Sequence, residues 1–181
     1  MEDLSEQLIL LGVRPTTPET DYGWIQAGVL IKKSGRARLY QVQSFIEKPS
    51  GLKAENLLDK GGLGNTMILV GKITTFWNLG WLFLHQLMQK FRAFQAVIGS
   101  KWEHSMLEHI CLDLPVCNLS ECLLQKIPEH ITVLKMTNAL WSDWGQPRRI
   151  YETLQAIGKH SNFPSGRFKE KYSKSPNTHL C

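Results

Sequence analysis

The sequence is poor in the features that mark several common protein classes. Four cysteines occur in 181 residues, Cys111, Cys117, Cys122 and Cys181, and no two have C-x-x-C spacing. Neither a disulfide framework nor a zinc site is expected. The first three read as buried thiols in a reducing compartment. No run approaches the roughly 20 apolar residues of a membrane span. The most apolar stretch, 73–88, contains Asn78, His85 and Gln86 and reads as a buried helix. Met1 to Glu6 is acidic where a secretory leader is basic. No internal repeat is visible. These absences give a cytoplasmic expectation with no membrane partner.

Positive charge is also scarce where it would matter. The formal net charge is +5, but residues 159–181 hold five bases and one acid, which leaves +1 for the rest. A nearly neutral body without a recognition motif is not expected to bind nucleic acid. The basic stretch 159–181 is rich in Ser, Pro, Lys and Asn and reads as a disordered tail.

What is present is an ordinary globular composition, with 43% hydrophobic and 20% charged residues. Leu8–Val13 reads as an interior strand. Residues 24–31 and 39–46 are rich in strand formers, and the polar, glycine-containing segment 32–38 between them reads as a loop joining antiparallel neighbours. Pro49-Ser50-Gly51 ends the second strand, and a short helix follows that stops at Gly61-Gly62. The apolar run 66–71 suits a fully buried strand. Phe76, Leu79, Phe83, Leu87 and Phe91 recur at helical spacing and predict one long amphipathic helix. Residues 102–113 predict another. Asn118 with Glu121 three residues later resembles an N-cap and its partner, opening a helix to Lys126. Ile131 and Val133 mark a strand. Pro147, Ile150, Leu154, Ile157 and Gly158 outline a final helix. Alternating strands and helices give an α/β domain.

Four segments can carry chemistry, each beside a plainer reading. Glu47-Lys48-Pro49 is either an exposed ion pair before a turn or a carboxylate for sugar hydroxyls beside an ammonium for phosphate. Asp21-Tyr22-Gly23-Trp24 is either a tight turn or a place where backbone approaches a ligand. Gly61-Gly62-Leu63-Gly64-Asn65-Thr66 leads into a strand rather than a helix, so it reads as a turn and not a phosphate cradle, with Asn65 able to offer its amide to a polyol. In Trp141-Ser142-Asp143-Trp144-Gly145, Asp143 is either a helix cap or a Mg²⁺ ligand, since that ion takes one or two carboxylates plus phosphates.

In this order, the four segments resemble the sugar-phosphate nucleotidyltransferases, most of all the mannose-1-phosphate guanylyltransferase type. The likeness runs through Leu11-Gly12-Val13-Arg14-Pro15 to Asp21-Tyr22-Gly23-Trp24-Ile25, Phe45-Ile46-Glu47-Lys48-Pro49, Asn65-Thr66-Met67-Ile68-Leu69-Val70-Gly71 and Leu140-Trp141-Ser142-Asp143-Trp144-Gly145-Gln146-Pro147. It spans roughly residues 8–158. The resemblance implies a partial Rossmann-like, GT-A-type mixed sheet with flanking helices over 1–158, followed by the basic tail 159–181. It implies transfer of a nucleotidyl group from a nucleoside triphosphate to a sugar 1-phosphate. Gly23, Glu47, Lys48 and Asn65 would bind the sugar and its phosphate. Asp143 would hold Mg²⁺ as one of two aspartates, and Asp143 and Lys48 would be the catalytic residues.

The family's glycine-rich triphosphate loop and its first metal aspartate have no counterpart here, and Gly64 stands where the family has Trp. The likeness is therefore to the later part of the enzyme. Since losing one charge-stabilising donor costs about 10²–10³ in rate, the expectation is a truncated or degenerate relative with weak or no activity alone. The alternative is a non-catalytic subunit that binds a sugar phosphate or nucleotide sugar.

Overall fold

The computed structural model describes residues 6–160 apart from 36, 115, 138 and 140. The expectations for the first five residues, for Leu140 and for the tail beyond 160 lie outside the described residues. The chain divides into two compact units, 1–139 and 140–181.

The first unit is built on five strands, β1 (Leu8–Val13), β2 (Trp24–Ser34), β3 (Ala37–Ile46), β4 (Leu63–Val70) and β5 (Ile131–Lys135). Helices α1 (Gly51–Asp59), α2 (Ile73–Phe83), α3 (His85–Gln95), α4 (Glu103–Asp113) and α5 (Leu119–Cys122) fill the connections. The strand order is β1-β4-β2-β3-β5, and β5 returns to β1 so that the sheet closes into a small barrel. The β1–β5 pair is parallel and the others are antiparallel. The mixed sheet with flanking helices is thus as expected, and ring closure is a feature that strand patterning does not announce. Burial alternates along the first residues of β1 because successive side chains point to opposite faces. Leu8, Leu10, Ile25, Val42, Leu63 and Val133 join the main core, to which Leu79 of α2 and Leu124 add. Trp24, Ala54 and Leu57 form a second cluster where α1 meets β2.

Several boundaries differ from the sequence expectation. The loop over 32–38 is a tight turn, because β2 and β3 stay paired as far as Lys33↔Arg38 and Ser34↔Ala37. β4 begins at Leu63, so Leu63 and Gly64 belong to the ladder, pairing with β2 and, at Gly64, with β1 as well. Only its first half is buried. The long helix is two helices, broken at Leu84, whose φ of −127° and ψ of 42° are not helical. The break folds α3 back so that Met88 lies over Gly80, where a Cβ would come within 2.7 Å of Met88 Sδ. Nor is the 73–88 stretch buried throughout, since Ile73 is 84% and Leu82 is 70% exposed. The helix opened by Asn118 is a single turn to Cys122, and a 3-10 turn over Leu124–Lys126 takes its place thereafter. Lys90 of α3 pairs with Asp113 of α4, and the hydrogen bond from its ammonium holds the Asp113 carboxyl below its ordinary range.

The cysteines are also arranged otherwise than expected. Cys117 and Cys122 form a disulfide with Cα atoms 6.1 Å apart, and Cys111 is an exposed free thiol. Asn118 starts α5 between the paired cysteines, so the short helix itself brings them together. None of the three is a buried thiol, which removes that argument for a reducing compartment.

In the second unit, α6 (Pro147–Ala156) carries Pro147 in its first turn and stops at Gly158, whose φ is +69°. No described helix is long and apolar enough to cross a membrane.

Glycine is required by close packing at Gly62, where a Cβ would meet the Leu57 carbonyl oxygen at 2.8 Å and the Trp24 ring at 3.2 Å. Gly51 has open space around it. Gly62→Ala is expected to destabilise the fold by about 1–3 kcal/mol, and Gly51→Ala to stay within about 0.5 kcal/mol of the parent. Urea unfolding of both variants measures the difference.

Candidate functional site

Three of the expected site residues lie together at one end of the barrel. Gly23 directly precedes β2, Glu47 directly follows β3, and Asn65 lies near the start of β4. The backbone N–H of Asn65 donates to the Gly23 carbonyl at 2.8 Å. A Cβ at Gly23 would fall 2.6 Å from Phe45 Cζ and 2.8 Å from Glu47 Oε2. Glycine is therefore the residue that lets the chain pass beside this carboxylate.

The approach to Gly23 is fixed from outside. Trp24 is buried, and its indole N–H donates to the Glu19 carbonyl at 2.7 Å, which ties the preceding loop to β2. Across the loop, a Cβ at Gly64 would sit 3.0 Å from Tyr22 and 3.5 Å from Pro15.

Glu47 is half-buried and held by the α5 region. Its backbone N–H donates to Gln125 Oε1 at 3.1 Å. Its Oε1 accepts from Asn118 Nδ2 at 3.4 Å. The other end of the Asn118 amide caps α5, with Oδ1 accepting from the Ser120 N–H at 2.9 Å. One amide thus starts a helix and orients a carboxylate 71 residues away in sequence. Oε2 is left facing Gly23. Lys48 is exposed, with a left-handed φ of 42°. The plain reading of Glu47 and Lys48 as an ion pair is replaced by these bonds to Asn118 and Gln125.

Asn65 is 1% exposed, and its side-chain amide is engaged at both ends. Oδ1 accepts from the Met67 N–H at 3.2 Å, and Nδ2 donates to Met67 Sδ at 2.9 Å. The side chain expected to offer itself to a sugar is covered by Met67.

Asp143 belongs to the second unit. Its oxygens accept from Arg149 Nη1 at 2.6 and 2.7 Å, and Oδ1 also accepts from the Gly145 N–H at 3.2 Å. The residue at the cap position of α6 is Gln146, so Asp143 is not that cap. It fixes the Trp141–Gly145 loop to α6 through Arg149. A carboxylate offers about four lone-pair positions, and three are taken here. Among the described residues no group of three or more His, Cys, Asp or Glu side chains is placed to hold a metal. As arranged, the Asp143 carboxylate is engaged by Arg149 and the Gly145 N–H.

Sequence reasoning did not find Asn118 as a partner of Glu47, nor Gln125, Ser120 or Met67 at this end of the barrel. The N-cap pattern at Asn118 is a local signal, and its second bond depends on how the barrel closes.

The profile of the nucleotidyl transferase family matches residues 2–160. The chain belongs to this family. It is 29% identical over 160 residues to a mannose-1-phosphate guanylyltransferase of Klebsiella pneumoniae, covering 80% of this chain and 31% of that protein. It is 26% identical over 125 residues to a mannose-1-phosphate guanylyltransferase of Escherichia coli, covering 68% of this chain and 24% of that protein. The chain therefore spans a quarter to a third of the length of these relatives. Among solved structures, a mannose-1-phosphate geranyltransferase from Thermus thermophilus superposes with a TM-score of 0.63 at 24% identity, covering 86% of this chain and 41% of that one. A mannose-6-phosphate isomerase from Helicobacter pylori gives 0.62 at 22% identity, covering 78% of this chain and 54% of that one. At these identities the two structures establish a shared fold.

Two outcomes follow from the geometry. Asn118→Ala removes the cap and is expected to cost about 1 kcal/mol of stability, whereas Asn118→Ser keeps an oxygen for the Ser120 N–H and recovers most of it; chemical denaturation separates them. Asp143→Ala leaves the buried Arg149 guanidinium without its carboxylate. Because Asp143 is part-exposed, the expected cost is about 1–3 kcal/mol, below the range for a fully buried pair, read as loss of amide-exchange protection in α6.

Proposed function

We propose that this chain binds a sugar 1-phosphate at the barrel end formed by Gly23, Glu47 and Asn65, and that it serves guanylyl transfer to mannose 1-phosphate. The observation that carries the reading is the convergence of Gly23, Glu47 and Asn65, which are distant in sequence, with a carboxylate oxygen facing a glycine backbone. A carboxylate accepts hydroxyl protons, and the glycine lets the backbone run beside it. Lys48, exposed one residue further on, offers an ammonium to the phosphate. Support also comes from the curated relatives, which carry the same activity name over most of this chain.

In the reaction of that type, a phosphate oxygen of the sugar 1-phosphate forms a bond to the α-phosphorus of GTP. The bond between the α-phosphorus and its bridging oxygen breaks, and pyrophosphate leaves. The work of the protein is positioning and offsetting negative charge. The residues here supply the sugar side of that arrangement. Asp143, the one expected Mg²⁺ ligand, is engaged by Arg149. With the sugar side present and no glycine-rich loop before a helix in these residues, binding is expected to be stronger than turnover.

The test is calorimetry with mannose 1-phosphate and with GDP-mannose, beside pyrophosphate release from GTP with Mg²⁺. Binding that weakens at least tenfold in Glu47→Gln supports the reading. Heat of binding with no pyrophosphate marks a sugar-binding subunit, and normal enzymatic turnover marks a working transferase. No heat with either ligand overturns the reading.

A further inference from the structure

Met67 stands out on three independent counts. Its φ of 58° lies in the left-handed region, which long side chains rarely occupy. It is 49% exposed, so burying apolar surface does not explain its place. Its sulfur receives two donors at once, Asn65 Nδ2 at 2.9 Å and Ser120 Oγ at 3.5 Å. Both donors are buried, with Asn65 and Ser120 each 1% exposed.

A thioether is a weak acceptor. Two buried donors fixed on separate elements, β4 and α5, and aimed at one point are better matched to an oxygen. The Asn65 side chain is held by the bond from the Met67 N–H to its Oδ1, and the Ser120 backbone is held by the bond from its N–H to Asn118 Oδ1. The same Asn118 holds Glu47. The donor pair and the carboxylate are thus parts of one rigid arrangement: one point offers protons and the other accepts them.

We propose that Asn65 Nδ2 and Ser120 Oγ form a hydroxyl-binding subsite of the sugar pocket, and that the Met67 thioether fills it in the absence of ligand. The inference rests on the sugar-phosphate reading of the same site and adds Ser120 as a binding residue and Met67 as the group a sugar hydroxyl must displace. Binding then replaces two weak N–H···S and O–H···S contacts by two bonds to oxygen, and the Met67 side chain swings to solvent. Its half-exposed position leaves room for that movement.

The test is calorimetry of mannose 1-phosphate with the full chain and with Met67→Gly, Met67→Asn and the double variant Met67→Gly, Ser120→Ala. Glycine and asparagine both tolerate the left-handed backbone. Met67→Gly is expected to bind about tenfold more tightly, the scale of one hydrogen bond no longer opposed by the sulfur, and Met67→Asn to bind no more weakly than the parent. The double variant is expected to lose most of the gain. In the parent, saturation with mannose 1-phosphate is expected to move the ¹³C-methyl resonance of Met67 towards its solvent-exposed position. If the parent binds and Met67→Gly binds no tighter, or the methyl resonance stays put at saturation, the subsite is wrong while the sugar-phosphate reading stands. If neither the parent nor any variant binds, both fall.

Discussion

The hydrogen bond from the Asn65 backbone N–H to the Gly23 carbonyl, 2.8 Å long, is the link on which the candidate site depends. It continues the sheet ladder by one step. Trp24 pairs with Gly64 of β4 on one side and with Ile46 of β3 on the other. Gly23, Asn65 and Glu47 are each the next residue beyond that rung. Three segments far apart in sequence are therefore brought to one place by a single row of backbone pairing. The row is anchored by Trp24, which is buried against Ala54 and Leu57 of α1. Gly62 allows the same packing, since its missing side chain leaves room for the Leu57 carbonyl and the Trp24 ring.

Local features of the fold were legible because their causes are local. Pro147 and Gly158 bracket α6 through fixed φ and through tolerance of positive φ, and both act within one turn. Asn118 caps α5 by a bond to a residue two positions on. The break at Leu84 was not legible, because Phe76 to Phe91 keep helical spacing through it. The break lets Met88 pack onto Gly80, a contact made only after the chain has folded back. The exposure of the second half of β4 was missed for a similar reason. Periodicity records which residues are apolar, and Met67, Ile68 and Val70 are apolar and exposed together.

The site divides along the same line. Gly23, Glu47 and Asn65 are named by the family resemblance, and the ladder explains why they lie together. Their partners were not found, because Asn118 and Gln125 reach Glu47 across 71 and 78 residues of sequence. The plain readings also failed where tertiary bonds intervene. Glu47 does not need Lys48 as a partner when Asn118 and Gln125 hold it. Asp143 is not a cap when Arg149, six residues on and buried, takes both of its oxygens. A carboxylate next to a helix start is read from sequence as a cap or a ligand. A guanidinium early in that helix is a third possible partner, and it is the one observed here.

Backbone strain points to the same places. Among the described residues, the non-glycine residues with left-handed φ are Lys48, Met67 and Trp144. Each adjoins or is a residue singled out for chemistry. Such conformations cost of order 1 kcal/mol or more and persist only where neighbouring bonds over-determine them. At two of the three that bond is visible, and it has the same form. Asn65 Oδ1 accepts from the N–H of Met67, and Asp143 Oδ1 accepts from the N–H of Gly145, each two residues on. This is the side-chain-to-backbone turn that Asn and Asp favour. In both segments the side chain that the resemblance assigns to a ligand is holding the backbone instead. A ligand that takes over such a side chain must also release the turn.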